Sequence, residues 1–274
     1  MHDVIDTRFG SIRIAHPSGT FAPSPATRVM VKAITDPARA LRGQGLDWGC
    51  GTGALAIAAA LSADVSHVVG LDISEDDILV ARRNARDSGV ASKTAFYLAD
   101  SYSPLDPEGQ RAVDEIRSGV WFITANPPAS EGDDGFTFRH RVLAGATDFL
   151  VPGGMLLMQA LSAYGPERMS RLLDAYPHFL YDGVVASTPF VPLDLEQEPT
   201  LLRQLQDYVV EEERGGPPYQ FHDPQGVAII PAAEAMARYR THGIPPMARW
   251  EVHQLRWVPT LAAPADRAAG DRPG

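Results

Sequence analysis

Across residues 46–159 short apolar runs alternate with longer stretches in which apolar side chains recur every three or four positions. Apolar runs of this length bounded by Gly, Pro or Asp read as strands buried on both faces, and the longer periodic stretches read as helices. The pattern predicts strands at 46–49, 68–71, 95–99, 120–125, 154–159 and 179–186, with helices at 54–61 and 74–87. Ser74 stands as the N-cap of the second helix, and Asp76 and Asp77 fall in its first turn, where the helix dipole favours anions. Alternating strands and helices argue for a largely parallel, Rossmann-like sheet with helices on both faces.

After Thr188 the rhythm changes. An acidic helix is expected at 195–214, a break at Gly215-Gly216-Pro217-Pro218, a short strand at 227–230, a helix at 232–242 and a closing strand at 250–258. Residues 1–259 thus read as a single domain, with 189–249 a substrate-side insertion or lid before the last strand. The tail at 260–274 is rich in Ala, Pro, Asp and Gly and is expected to be disordered.

Composition narrows the partners. The chain has 274 residues, 45% of them apolar, enough for a large core. Its most apolar run, 155–161, falls far short of the ~20 residues that span a bilayer, so no membrane association is expected. The first residues lack the basic and apolar regions of a signal peptide, and the single cysteine, Cys50, forms no internal disulfide; a cytoplasmic location is the expectation. A net charge of −10 with no strong basic patch argues against nucleic acid as a partner. The eight histidines show no ligand spacing, so no metal is expected.

Candidate chemistry starts at Asp47-Trp48-Gly49-Cys50-Gly51-Thr52-Gly53, between the first predicted strand and helix. Glycines there let the backbone turn sharply and approach a nucleotide. Gly49, Gly51 and Ala54 also satisfy the G-x-G-x-x-A dinucleotide pattern, so the loop alone leaves a nicotinamide cofactor open. Asp47, two places before the first glycine, can attract an ammonium, and the third glycine, Gly53, suits a wider loop than a pyrophosphate cradle. Cys50 reads as a small filler.

The segment 46–55, LDWGCGTGAL, resembles the first motif of the class I S-adenosylmethionine-dependent methyltransferases, and further family motifs occur downstream in the same order. The resemblance implies a seven-stranded Rossmann-like sheet and S-adenosyl-L-methionine as cofactor. It places Asp72 on the ribose hydroxyls, Ile73 against the adenine, and Asp100 on the adenine amine. Asn126-Pro127-Pro128 is similar to the Asn-Pro-Pro-aromatic motif of the amino methyltransferases. Upstream, HPSGTFAPSPATRVMVKAI (16–34) resembles the lead-in of the methyltransferase small domain subgroup, which includes release-factor glutamine and some ribosomal guanine methyltransferases. That match puts Phe21, Pro23 and Thr27 near the site.

Methyl transfer to nitrogen needs a lone pair aimed at the methyl carbon, so the hydrogens on that nitrogen must be captured by acceptors. Asn126 supplies a side-chain oxygen and Pro127 a carbonyl, and the two prolines stiffen the turn. Where the family carries an aromatic residue, this chain has Ala129. Either another ring fills the space, with Phe136, Phe138, Tyr219 and Phe221 as candidates, or the acceptor is bulkier or not planar.

The insertion is acidic, with Glu211-Glu212-Glu213 at its centre. Such a cover suits a small molecule closed over by the 214–223 loop, RGGPPYQFHD, with Tyr219 and Phe221 facing inward. The leading expectation is therefore methylation of a nitrogen, or of a sulfur, in a small-molecule metabolite. Methylation of a protein glutamine or an rRNA base is the alternative, and a cofactor-binding module without catalysis is a third. Oligomeric state has no signature in the sequence.

Overall fold

A computed structural model describes residues 1–130, 133–226 and 228–259; the tail expected at 260–274 lies outside the described residues. The chain opens with a hairpin, β1 (His2–Thr7) and β2 (Gly10–Ala15), and a helix, α1 (Pro25–Ile34). The alternating core comes next: β3 (Gly43–Trp48), α2 (Ala54–Ala60), β4 (Val65–Asp72), α3 (Glu75–Asp87), β5 (Thr94–Asp100), the two-residue β6 (Ser103–Pro104) and α4 (Pro107–Ile116). It continues through β7 (Val120–Ala125), α5 (Thr137–Ala146), β8 (Leu150–Leu161), α6 (Gly165–Asp174) and β9 (Phe179–Ser187). Then come β10 (Val191–Pro192), α7 (Pro199–Glu213), β11 (Phe221–His222), β12 (Ile229–Ile230), α8 (Ala232–His242), β13 (Met247–Ala248) and β14 (Trp250–Trp257).

The main sheet has the order β6-β5-β4-β3-β7-β8-β14-β9. Strands β3, β4, β5, β7 and β8 run parallel, and β14 slips in antiparallel between β8 and β9. The chain order reverses between β3 and β7, the switch point at which open α/β sheets bind ligands beyond the carboxyl ends of their strands. The seven long strands are those implied by the family resemblance, and β6 merely extends the end of β5.

Close packing explains several residue choices. Helix α2 is buried along its whole length and is nearly all alanine, which lets it lie tightly on the sheet. Gly45 on β3 leaves room for Phe122 on β7, since a Cβ there would sit 2.1 Å from the ring. Ser24 caps α1 through a reciprocal exchange with Thr27 and Pro25 takes its first turn, while Ser74 accepts from the Asp77 N–H at 3.2 Å to start α3.

The periodic reading missed β1, β2, α1, α4 and α6. The acidic helix begins at Pro199, four residues later than expected; proline suits a first helical turn, disfavours helix in the residue before it, and leaves Leu193 and Leu195 free to bury. Between β9 and β14 the chain builds a small sheet, β10-β13-β11-β12, and two helices, α7 and α8, that pack on each other. Leu205, Tyr208, Tyr219, Phe221 and Met236 from this part share one hydrophobic core with Val142, Leu143 and Leu156 of the main unit. No helix among the described residues is long and apolar enough to cross a membrane.

Candidate functional site

At the switch point a cleft of about 560 Å³ opens between the loop after β3, the ends of β4 and β5, and the turn after β7. Backbone geometry shapes its floor. Gly49, Gly51 and Gly53 all have left-handed φ, +67°, +50° and +88°, which a side chain would strain. The N–H groups of Gly49 and Cys50 both donate to the Leu71 carbonyl, at 2.9 and 3.0 Å, folding the loop back over β4.

Asp72 ends β4 at the cleft wall. Its two oxygens accept from the N–H of Gly51 at 2.7 Å and of Ser74 at 2.9 Å, so one carboxylate ties the glycine loop to the start of α3. Burial raises its pKa despite these bonds, and neighbouring Asp77 adds to the rise. Cys50 is buried and its thiol is pushed up by desolvation and then by the three aspartates around it, which makes it an inert filler.

The lead-in segment lies across this loop. The Phe21 N–H donates to Asp77 Oδ1 at 2.7 Å, and Thr52 Oγ1 donates to the Phe21 carbonyl at 3.0 Å. Asn84 braces the same region from α3, donating to the carbonyls of Ala15 and Thr52 and accepting from the Ala15 N–H. The Phe21 ring is thereby held so close to Gly51 that an added Cβ would meet it at 3.1 Å.

Phe21, Pro23, Thr27, Gly49, Gly51, Asp72, Ile73, Asp100, Asn126 and Pro127 all come together on the cleft wall. Ile73 and the Asp100 carboxylate are exposed there, and among the described residues Asp100 has only a distant ion pair, 3.8 Å from Arg141. Asn126 is half-buried, and its amide makes no hydrogen bond to any described residue.

Other expected site residues lie elsewhere. Asp47 is fully buried behind the loop, where Oδ1 accepts from Thr124 Oγ1 at 2.8 Å and Oδ2 from the Ala56 N–H at 3.0 Å. Both oxygens face inward, so it shapes the loop and does not present a charge to the cleft. Gly53 also stands behind the wall, where an added Cβ would meet Ala81 at 3.0 Å. Ala129 is off the wall. Phe136 is core, packed edge-on against Tyr164 at 4.6 Å between ring centres.

Tyr219 and Phe221 do not close over the cleft. Tyr219 stacks on Tyr208 at 4.1 Å, carries the Arg168 guanidinium 3.5 Å above its ring, and donates its hydroxyl to the Asp134 carbonyl at 3.2 Å. Burying these rings is worth more than leaving them in a solvent-facing loop, and the expected inward-facing lid is lost with them.

Of the four rings considered for the space beside Ala129, the one on the wall is Phe138, tilted against Trp48 at 6.4 Å. Trp48 is itself anchored by its Nε1–H to Ser101 Oγ at 2.9 Å. Sequence reasoning gave no role to Trp48, Asp77, Asn84, Ser101 or Arg141. Only Asp77 carried a local signal, as a first-turn residue of α3.

Residues 12–178 match the methyltransferase small domain family. The chain belongs to that family. Family membership carries S-adenosyl-L-methionine as methyl donor and methyl transfer as the reaction class. Among curated relatives, a release factor glutamine methyltransferase from Cereibacter sphaeroides is 30% identical over 162 residues, 53% of this chain and 55% of that one. The corresponding Vibrio cholerae protein is 28% identical over 179 residues, 65% of this chain and 56% of that one. This chain thus spans little more than half the length of those relatives. The YcgJ protein of Bacillus subtilis shares the fold, with a TM-score of 0.51 at 13% identity, covering 86% of this chain and 99% of that one.

The expectation of a small-molecule acceptor is overturned by this comparison: these relatives are named for methylating a protein, a release factor. Its physical basis has also gone, since Tyr219 and Phe221, the rings expected to face inward, are buried in the core and do not line this cleft. The wall residues fit the donor: an open, left-handed glycine loop for a nucleoside to approach, apolar Leu71 and Ala99, and carboxylates at Asp72 and Asp100 for hydroxyl and amine groups.

Proposed function

We propose that this protein transfers a methyl group from S-adenosyl-L-methionine to the side-chain amide nitrogen of a glutamine in a protein substrate. The observation that carries the reading is the turn after β7: Asn126, Pro127 and Pro128 line the same cleft as the glycine loop and Phe138, and the Asn126 amide has no hydrogen-bond partner among the described residues. The relatives named for release factor glutamine support the same choice of acceptor, and the net charge of −10 disfavours an RNA partner.

The donor supplies a methyl group activated by sulfonium charge, which leaves position and electrostatics to the protein. Asn126 Oδ1 and the Pro127 carbonyl accept the hydrogens of the incoming amide, leaving its lone pair directed toward the donor side of the cleft. Pro127 and Pro128 lack backbone N–H groups, so the turn presents its carbonyls with no backbone donor of its own beside them. Phe138 provides a flat face for the planar amide, the part played by the ring that Ala129 lacks. Phe21, Gly49, Gly51, Asp72, Ile73 and Asp100 hold the donor.

Incubation with radiolabelled S-adenosylmethionine and a bacterial release factor, followed by peptide mass spectrometry, should place one methyl group on a glutamine side chain. An unlabelled release factor alongside labelled RNA would overturn the proposal.

A further inference from the structure

Arg139, on the first turn of α5, is 2% exposed, and none of the ion pairs among the described residues includes it. A buried guanidinium without a carboxylate is costly unless all its donors are met. Here they are met by oxygens that carry no full charge. Nε donates to the Gln159 carbonyl at 3.2 Å, Nη1 to the carbonyls of Gly135 at 3.0 Å and Pro128 at 3.4 Å, and Nη2 to the Pro127 carbonyl at 3.4 Å and Gln159 Oε1 at 3.5 Å. The five N–H groups of the fork thus find five contacts. The rings of Tyr164 and Phe136 lie 4.9 and 5.4 Å from the cation and add a favourable face.

The destination of two of these bonds gives them a functional meaning. Pro127 and Pro128 have no N–H, so nothing on their own backbone can donate to a neighbour and fix the turn. Among the described residues the only hydrogen bonds to their carbonyls come from Arg139. The opposite end of the fork grips Gln159 on β8, a rigid central strand. Arg139 therefore connects the turn that bears Asn126 to the middle of the sheet.

We infer that Arg139 is a positioning residue for methyl transfer, holding the 126–128 turn so that the Asn126 amide and the Pro127 carbonyl face the cleft. It touches neither donor nor acceptor and works through the proline carbonyls. A lysine cannot substitute fully, since one ammonium cannot reach oxygens on both the turn and β8 in fork geometry. The inference rests on the reading of the Asn126 turn as the acceptor site.

The test compares R139K, R139A and N126A with the wild type. R139K should lower kcat about tenfold on a release factor, with S-adenosylhomocysteine affinity by calorimetry within about threefold of wild type. R139A should lose roughly a hundredfold, and free guanidinium at tens of millimolar should restore part of it. Independently of any acceptor, hydrogen exchange of a peptide covering 120–130 should quicken in R139K while peptides from β4 and α3 stay unchanged. Full activity and unchanged exchange in R139K would overturn the inference. Parallel loss of kcat and S-adenosylhomocysteine affinity would do the same, by showing a general structural role. If N126A leaves turnover intact, the acceptor-site reading fails, whereas loss in N126A with none in the Arg139 variants fails this inference alone.

Discussion

Asp47 on β3 and Thr124 on β7 are register partners in adjacent parallel strands, and the threonine hydroxyl donates to the aspartate at 2.8 Å with both side chains fully buried. Desolvation pushes the Asp47 carboxyl up to about 7, against the pull of this bond and of the Ala56 N–H. The folded state thus holds the proton more tightly than the unfolded chain, where an aspartate titrates near 3.8. Stability from this group is fully present below about pH 4 and is lost as pH rises to about 7, by an amount on the order of 4 kcal/mol at most. Asp47→Asn removes the titration, so urea unfolding should lose less stability between roughly pH 5 and pH 8 in the variant than in the wild type. Equal losses would show that Asp47 does not carry this dependence.

Asn126→Ala leaves the glycine loop, Asp72 and Phe21 untouched. Turnover should fall by roughly a hundredfold or more, the scale of losing one preorganised polar partner at a reacting group, while S-adenosylhomocysteine binds within about threefold of wild type. Equal loss of both quantities would remove Asn126 from the acceptor side.

Two neighbouring phenylalanines should behave differently. Phe136 is 1% exposed and packs on Tyr164, so Phe136→Ala should cost about 3–5 kcal/mol of stability by leaving a cavity. Phe138 is half-buried on the cleft wall, so Phe138→Ala should cost less stability and raise the KM for the protein acceptor instead. Thermal unfolding paired with steady-state kinetics separates the two; a Phe138 variant with unchanged KM would mean that the ring does not meet the substrate.

Gly51→Ala introduces a side chain at φ +50°, worth about 1–2 kcal/mol of strain, and drives a Cβ against the Phe21 ring at 3.1 Å. The ring must shift, and S-adenosylhomocysteine affinity should drop about tenfold with a melting temperature lower by several degrees. Unchanged affinity would show that neither Gly51 nor Phe21 bounds the cofactor site.

The strand-loop-helix order from β3 to α3 was legible in the chain, and so were the acids at 72 and 100 and the turn at 126. Each depends on where a strand ends and on the few residues just past its end, a local matter of period, glycine and proline. The same reading failed for Asp47, whose acidity suggested a ligand while its alternation within β3 turns it inward between two strands. It also failed for Tyr219 and Phe221: rings beside Gly215-Gly216-Pro217-Pro218 resemble a flexible cover, yet they find a better environment among Tyr208, Arg168 and the core.

The sequence by itself determined the parallel sheet, the glycine loop and the polar turn that faces it, because short-range patterning selects the elements and their ends. Only the tertiary structure decided which of the candidate rings stands on the cleft wall, which carboxylate is buried, and that Arg139 grips the carbonyls of Pro127 and Pro128. Those outcomes turn on distances of a few ångströms between segments far apart in the chain, set by how side chains from several elements fill one core.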